Sequence, residues 1–439
     1  MAAMDGGGTG FSRRSLITGL GLGALGLISA PALAACSSGS GGGAGGSGGG
    51  GGGGGSMTFG SNGSDPVPKK AYASLVAAYM AKSKAKVTIN TSDHNSFQNK
   101  ITNYLQGSPD DAFTWFAGYR MRFFAAKDLA GDASDVWKKI GSNFSPALKK
   151  ASTGDDGKQY FVPIYNYPWG FFYLKSFWQK NGWAVPKTWD ELIALAKKMK
   201  AKGIIPVGFA DKDGWPADGT FDYLNMRTNG YQFHLDLCAH KQSWNQKKVQ
   251  DVFDNWNQLR QYQDPAALGL TWQEGAQKLA QKKSGMYLLG SFVTQQFTDK
   301  ATLADVGFFP FPSLAVEGQD AVEAPIDGLM LSKKGAENQT AKDFLAYVGT
   351  GAGQYAYWKN DPNNIMTAKD ADTSHYTPFI KELADVIANA KSISQFFDRD
   401  ALPAMANNVI NPALQQFFKS GSIDLKNLDS QAKSLYANG

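Results

Sequence analysis

Between residues 186 and 209 the chain spells out a complete helix-then-strand unit. Thr188 stands where a helix N-cap would, and Glu191, three residues on, completes a capping box. In that motif each of the two side chains satisfies a backbone N–H that the helix end leaves open. Leu192, Leu195, Ala196 and Met199 then recur at helical spacing as one apolar stripe, and Gly203 supplies the stop. Residues 204–209 follow as a strand. The same alternation runs through the preceding stretch. Thr58 and Phe59 lead into the turn Gly60-Ser61-Asn62-Gly63, and a helix with Leu75, Val76, Tyr79 and Met80 comes next. Residues 86–90 read as a strand, Phe97, Ile101, Tyr104 and Leu105 share a helical face, and residues 112–117 suit a buried strand. Units of this kind predict an α/β protein with largely parallel sheets.

At 439 residues the chain exceeds what one hydrophobic core usually organises, so two domains are expected. Its net charge of +6 is spread without a Lys/Arg run, which argues against nucleic acid as a partner. Cys36 and Cys238 are the only cysteines, too few for a disulfide framework or a metal-ligand cluster, and no cofactor is expected. Aromatic residues reach 13% with eleven Trp, enough to suggest that rings do more than fill a core.

Residues 1–35 read as an export signal: Arg13-Arg14, an apolar run rich in Gly and Ala, then small residues before Cys36. The paired arginines favour the twin-arginine route. Five interruptions by Gly19, Gly21, Gly23, Gly26 and Pro31 argue against a permanent membrane span. Leu33-Ala34-Ala35-Cys36 resembles the bacterial lipobox, which implies cleavage before Cys36 and diacylglycerol on its thiol. Two or three acyl chains hold a protein on a bilayer where one is marginal. Residues 36–56 then form a Gly/Ser tether, with fourteen Gly between Ser37 and Ser56.

The stretch PKTWDELIALAKKMKAKGIIPVGFA resembles the signature region of the carbohydrate-binding proteins of ABC importers, the family that includes maltose-binding protein. SPDDAFTWFAG, VPIYNYPWGFFYLKSFW, KKSGMYLLGSF, FFPFPSL and APIDGLMLSKKGAENQTAKDFLAYV match further family segments in the same order, over residues 57–439. The resemblance implies a two-lobed periplasmic-binding-protein-like α/β fold of type II, with a ligand cleft between lobes joined by hinge strands. By order, residues 57–165 and 325–370 would form the first lobe, and residues 166–324 and 371–439 the second. It also implies a monomeric carrier on the outer face of the bacterial cytoplasmic membrane that delivers a mono- or oligosaccharide to a permease.

A sugar presents apolar C–H faces and a rim of hydroxyls, so its site needs aromatic platforms and planar polar groups. Trp115, Trp169, Trp215 and Phe292 stand at predicted strand ends or in the loops after them. Asn62, His94, Arg120 and Asn166 follow strands or lie in the first crossing; Asp327 lies in the second, Asp222 in FDYLNMR and Arg399 in FFDRD. Asp222 and Asp327 have apolar or Gly neighbours, where a charge needs a reason. Trp189 follows a helix cap and is assigned to packing. Trp178, Trp183, Trp244, Trp256 and Trp272 fall in helical or turn patterns with no site role.

The four histidines form no zinc-protease motif, and no Gly-x-Ser-x-Gly elbow occurs, so an enzyme is not expected. The rivals are a secreted carbohydrate-active enzyme and a carrier of polyamines, peptides or amino acids. An acidic cleft would suit a polyamine; Arg120 or Arg399 in the cleft would suit a carboxylate.

Overall fold

The computed structural model describes residues 54–314 and 320–437. The export signal, the lipobox with Cys36 and nearly all of the tether lie outside these residues.

Twelve strands are described: β1 (Ser56–Ser61), β2 (Lys86–Thr91), β3 (Ala112–Phe116), β4 (Phe161–Asn166), β5 (Trp169–Leu174), β6 (Ile205–Gly208), β7 (Ser284–Gly290), β8 (Val306–Phe309), β9 (Ala321–Glu323), β10 (Ile326–Leu331), β11 (Ile365–Met366) and β12 (Ser392–Ser394). They form a six-stranded sheet in the order β11-β4-β10-β3-β1-β2, a four-stranded sheet in the order β6-β7-β5-β8, and a β12-β9 pair. The chain leaves the larger sheet after Asn166, enters the smaller at Trp169, and returns at Ile326. These passages make two lobes, each a sheet with helices packed on it.

The sheets are mixed, where largely parallel ones were expected. β1 runs parallel to β2 and β3, but β10 is antiparallel to β3 and β4, and β5 is antiparallel to β7 and β8. The antiparallel members are the crossing strands, which enter each sheet from the other lobe.

Local elements follow the sequence pattern closely. Thr188 accepts from Glu191 N and Glu191 returns the bond to the cap, opening the helix Trp189–Ala201, whose buried residues include Leu192, Leu195, Ala196 and Met199. Gly203 then turns at φ +73°. In the first lobe Tyr72 meets Phe59 at 5.6 Å and Tyr357 at 4.8 Å between the helix Pro66–Ser83 and the sheet. In the second, Phe171 stacks on Phe309 at 5.1 Å. Fully burying one such ring contributes about 1.5–3 kcal/mol. Among the described residues no helix is long and apolar enough to cross a membrane.

Candidate ligand-binding site

A cavity of about 170 Å³ lies where the crossing strands meet the loops of both lobes. From the first lobe, the turn after β1 contributes Asn62 and Asp65. Asn62 is fastened to β3: its N–H donates to Thr114 Oγ1 at 2.9 Å, and that hydroxyl donates back to Asn62 Oδ1 at 2.9 Å. His94 begins the helix His94–Gln106, behind Asp93, whose carboxylate caps Ser96 N at 2.9 Å. Desolvation at the cavity wall lowers the His94 pKa from 6.5, against the pull of Asp327 and Asp65, and so favours the neutral ring.

The second lobe contributes rings. Trp169 opens β5 and is wedged between two glycines: a Cβ on Gly219 would come within 2.4 Å of its ring, and one on Gly290 within 3.0 Å of its indole nitrogen. Phe396 lies 4.7 Å from Trp169, Phe292 6.0 Å and Trp215 6.3 Å, centroid to centroid. Trp272 meets Phe292 edge-on at 5.0 Å and Tyr167 meets it at 5.6 Å. All six of these rings line the cavity.

Beside them runs a ladder of alternating charge, of which Asp327, Asp398 and Arg399 line the cavity. Arg120 Nη1 pairs with Asp398 Oδ2 at 2.9 Å, Asp398 Oδ1 lies 3.7 Å from Arg399 Nε, and Arg399 Nη1 pairs with Asp327 Oδ1 at 2.6 Å. Arg399 Nη2 donates to the Tyr167 hydroxyl at 2.9 Å, and the guanidinium lies 4.0 Å over the Phe116 ring. Burial works against the Arg399 charge, but Asp327, Tyr167 and Asp398 outweigh it and its pKa rises. Desolvation raises Asp327 while Arg399 draws it back down. Across the cavity, Gln273 Nε2 reaches both carboxylate oxygens of Asp65 at 3.3 Å.

Of the residues singled out from sequence, Trp169, Trp215, Phe292, Asn62, His94, Asp327 and Arg399 line this cavity. Four do not. Trp115 is 1% exposed and packs among Phe97, Phe116 and Phe124. Its neighbour on the strand, Thr114, is the residue that reaches Asn62, because side chains alternate between sheet faces. Arg120, fully buried, stands one rung behind, bonded to Gln98 and Asp398. Asn166 ends β4 between β10 and β11. Asp222 is fully buried in the helix Pro216–Asn229 and accepts the Phe397 N–H at 2.7 Å. Conversely, Trp272, which its helical setting assigns to packing, lines the cavity, as do Tyr72, Tyr165, Tyr167, Phe396 and Asp398. Tyr167 could have been found, since it stands two residues before Trp169 in the same crossing. Phe396 and Asp398 carry no local signal that sets them apart. Trp189 packs as expected, against Phe311 with its N–H on Gln258. Among the described residues no group of His, Cys, Asp and Glu could hold a metal ion.

Two lobes, strands crossing between them and a ring-walled cavity at the crossing define a ligand-capturing receptor. The model of the bacterial extracellular solute-binding proteins matches residues 63–355, and the chain belongs to that family. An uncharacterised ABC transporter extracellular-binding protein of Pyrococcus horikoshii is 25% identical over 332 residues, 73% of either chain. The solved bacterial solute receptor AcbH, described as having an exclusive substrate preference for β-D-galactopyranose, is 44% identical with a TM-score of 0.85, covering 87% of this chain and 99% of its own. A chitin oligosaccharide binding protein shares the fold at 23% identity and a TM-score of 0.79, covering 87% and 99%. The family and the fold expected from PKTWDEL and its companion segments are thus borne out.

Proposed function

We propose that this chain captures a single pyranose, of the D-galactose kind, outside the cytoplasmic membrane and delivers it unchanged to an ABC importer. The observation that carries this reading is the size of a cavity walled by rings: about 170 Å³, with Trp169, Trp215, Phe292 and Phe396 on one side. A void of about 150 Å³ holds one benzene-sized ring, and a cavity of this order favours a single sugar ring over a longer chain. The likeness to AcbH supports the same ligand class. Trp169 and Trp215 supply faces for the C–H side of the ring. Asn62, His94, Asp327, Asp398 and Arg399 supply the hydroxyl partners that make selectivity, since a buried hydroxyl left unpaired costs about 1–3 kcal/mol.

Delivery follows from the lobes, drawn as residues 57–165 with 325–370 and 166–324 with 371–439. A ligand touching both favours the closed state by its differential affinity, and the closed form docks on the permease. Cys36, lipidated after twin-arginine export, and the glycine tether would keep the monomeric receptor near that permease and raise its effective concentration there.

A second reading has one observation in its favour. Asp65, Asp93, Asp213, Asp327 and Asp398 outnumber Arg399 in the lining, which would suit an amino sugar or a polyamine. Asp93 is committed to its helix cap, and Asp327 and Asp398 to Arg399. A thermal-shift panel of hexoses, pentoses, di- and trisaccharides, galactosamine and spermidine separates the readings, because a ligand of the native state alone raises its melting temperature. D-Galactose giving the largest shift supports the pyranose reading; spermidine giving it, with no sugar active, rejects it. Sugar recovered intact after incubation supports a carrier, and hydrolysis would mark an enzyme.

A further inference from the structure

Five non-glycine residues among those described have positive φ. Lys84, Asp128, His240 and Lys282 lie at 51–62°, the ordinary left-handed turn. Phe396 stands at φ +102°, ψ 144°, a region that belongs almost wholly to glycine and that a side chain occupies only where its surroundings over-determine it.

The surroundings are specific. On the chain before Phe396, the Gln395 N–H donates to Asp400 Oδ2 at 3.0 Å, with the Ser394 hydroxyl on the same oxygen at 3.3 Å. On the chain after it, the Phe397 N–H donates to Asp222 Oδ2 at 2.7 Å. The peptide that follows the strained residue is therefore held by the Asp222 carboxyl, and the peptide one residue before its own N–H by the Asp400 carboxyl. Opposite, Gly118 clears the way: a Cβ there would stand 3.1 Å from the Arg399 carbonyl. The outcome is a split of two adjacent rings. Phe397 enters the second-lobe core beside Phe221 and Trp244, while Phe396 turns into the cavity wall against Trp169. Asp398 and Arg399 follow directly and line the same cavity.

We propose that Asp222 and Asp400 are positioning residues that clamp the chain before and after Phe396, at the Gln395 and Phe397 N–H groups, and so aim its ring, Asp398 and Arg399 at the bound sugar. The aim rests on the sugar reading of the site; the clamp does not. Asp222, whose sequence setting suggested ligand contact, thus acts one layer behind it.

Two measurements on the purified full chain test this. The first uses no ligand: Phe396→Gly and Phe396→Ala lose the same ring, and glycine alone is at ease at this φ. The glycine variant is expected to melt above the alanine variant, and alanine melting higher would overturn the clamp. The second is calorimetric titration with D-galactose, with circular dichroism to establish folding. Asp222→Ala is expected to weaken binding at least tenfold, and Asp222→Asn, which keeps an acceptor oxygen for the Phe397 N–H, to recover most of the loss. Asp222→Ala binding as the parent does, or Asn failing to improve on Ala, would overturn the positioning role. If Asp222→Ala does not fold, Asp400→Ala against Asp400→Asn makes the same comparison. A parent chain that takes no sugar overturns the reading of the site and with it the aim, while the melting order of the two Phe396 variants still decides the clamp.

Discussion

Arg399 joins more of the site than any other side chain, with one arm of its fork on Asp327, the other on Tyr167, and its plane over Phe116. Arg399→Met would leave Asp327 without its cation in a wall that is nearly closed to water, while Asp398 keeps Arg120. Removing one partner of such a pair costs on the order of 3–5 kcal/mol. A fall in denaturation midpoint together with at least tenfold weaker galactose binding is expected, and Arg399→Lys should recover little because an ammonium cannot reproduce the fork. Trp215→Ala separates the two effects: its ring is only partly buried, so affinity should fall at least tenfold while the melting temperature moves little. Unchanged affinity would remove Trp215 from the site. The sequence pointed to Trp169, Trp215 and Asp327, which line the cavity, because strand ends, crossings and a charge among apolar neighbours are visible there. Trp115 and Asp222, singled out with them, stay off the cavity wall for a physical reason. Position along a strand does not say which face a side chain takes, and the partner that explains Asp222 lies 175 residues away at Phe397.

At the scale of elements, two helices begin with nearly the same four residues and end in different roles. Thr188-Trp189-Asp190-Glu191 and Thr271-Trp272-Gln273-Glu274 both close complete capping boxes. The first points its Trp at Phe311 in the core, the second at Phe292 in the cavity wall. Local pattern made both helices legible and could not tell the two tryptophans apart, since what lies opposite each is decided by tertiary packing. Replacing a capping threonine with alanine costs about 1 kcal/mol. Thr188→Ala should show that loss in chemical denaturation with sugar affinity intact. Thr271→Ala should show the same loss and a weaker affinity, because Trp272 and Gln273 in its first turn line the cavity. Equal affinity in the two variants would contradict the assignment of that turn to the site.

For the molecule as a whole, alternating helix and strand announced the α/β lobes, but the antiparallel crossings were not readable from periodicity, because strand direction depends on which lobe the chain is leaving. Those crossings put the cavity and the segment 394–400 together, and the packing there leaves a mark on stability. Burial pushes the Asp400 pKa up to about 6 from 3.8. Between those values the folded chain keeps a proton that the unfolded chain has lost, so this residue's contribution is present below about pH 4 and lost as pH rises through about 6. The melting temperature of Asp400→Asn relative to the parent should therefore climb between pH 4.5 and pH 7.5; a difference that falls over that range would contradict the shift.

Calorimetric titration of the purified protein with D-galactose and with a galactose-containing trisaccharide shows directly whether one sugar ring is held between the aromatic rings and the charge ladder. Saturable binding of one galactose per chain is expected, with none, or at least a hundredfold weaker binding, of the trisaccharide. Tighter binding of the trisaccharide, or no saturable binding of any sugar, would contradict it.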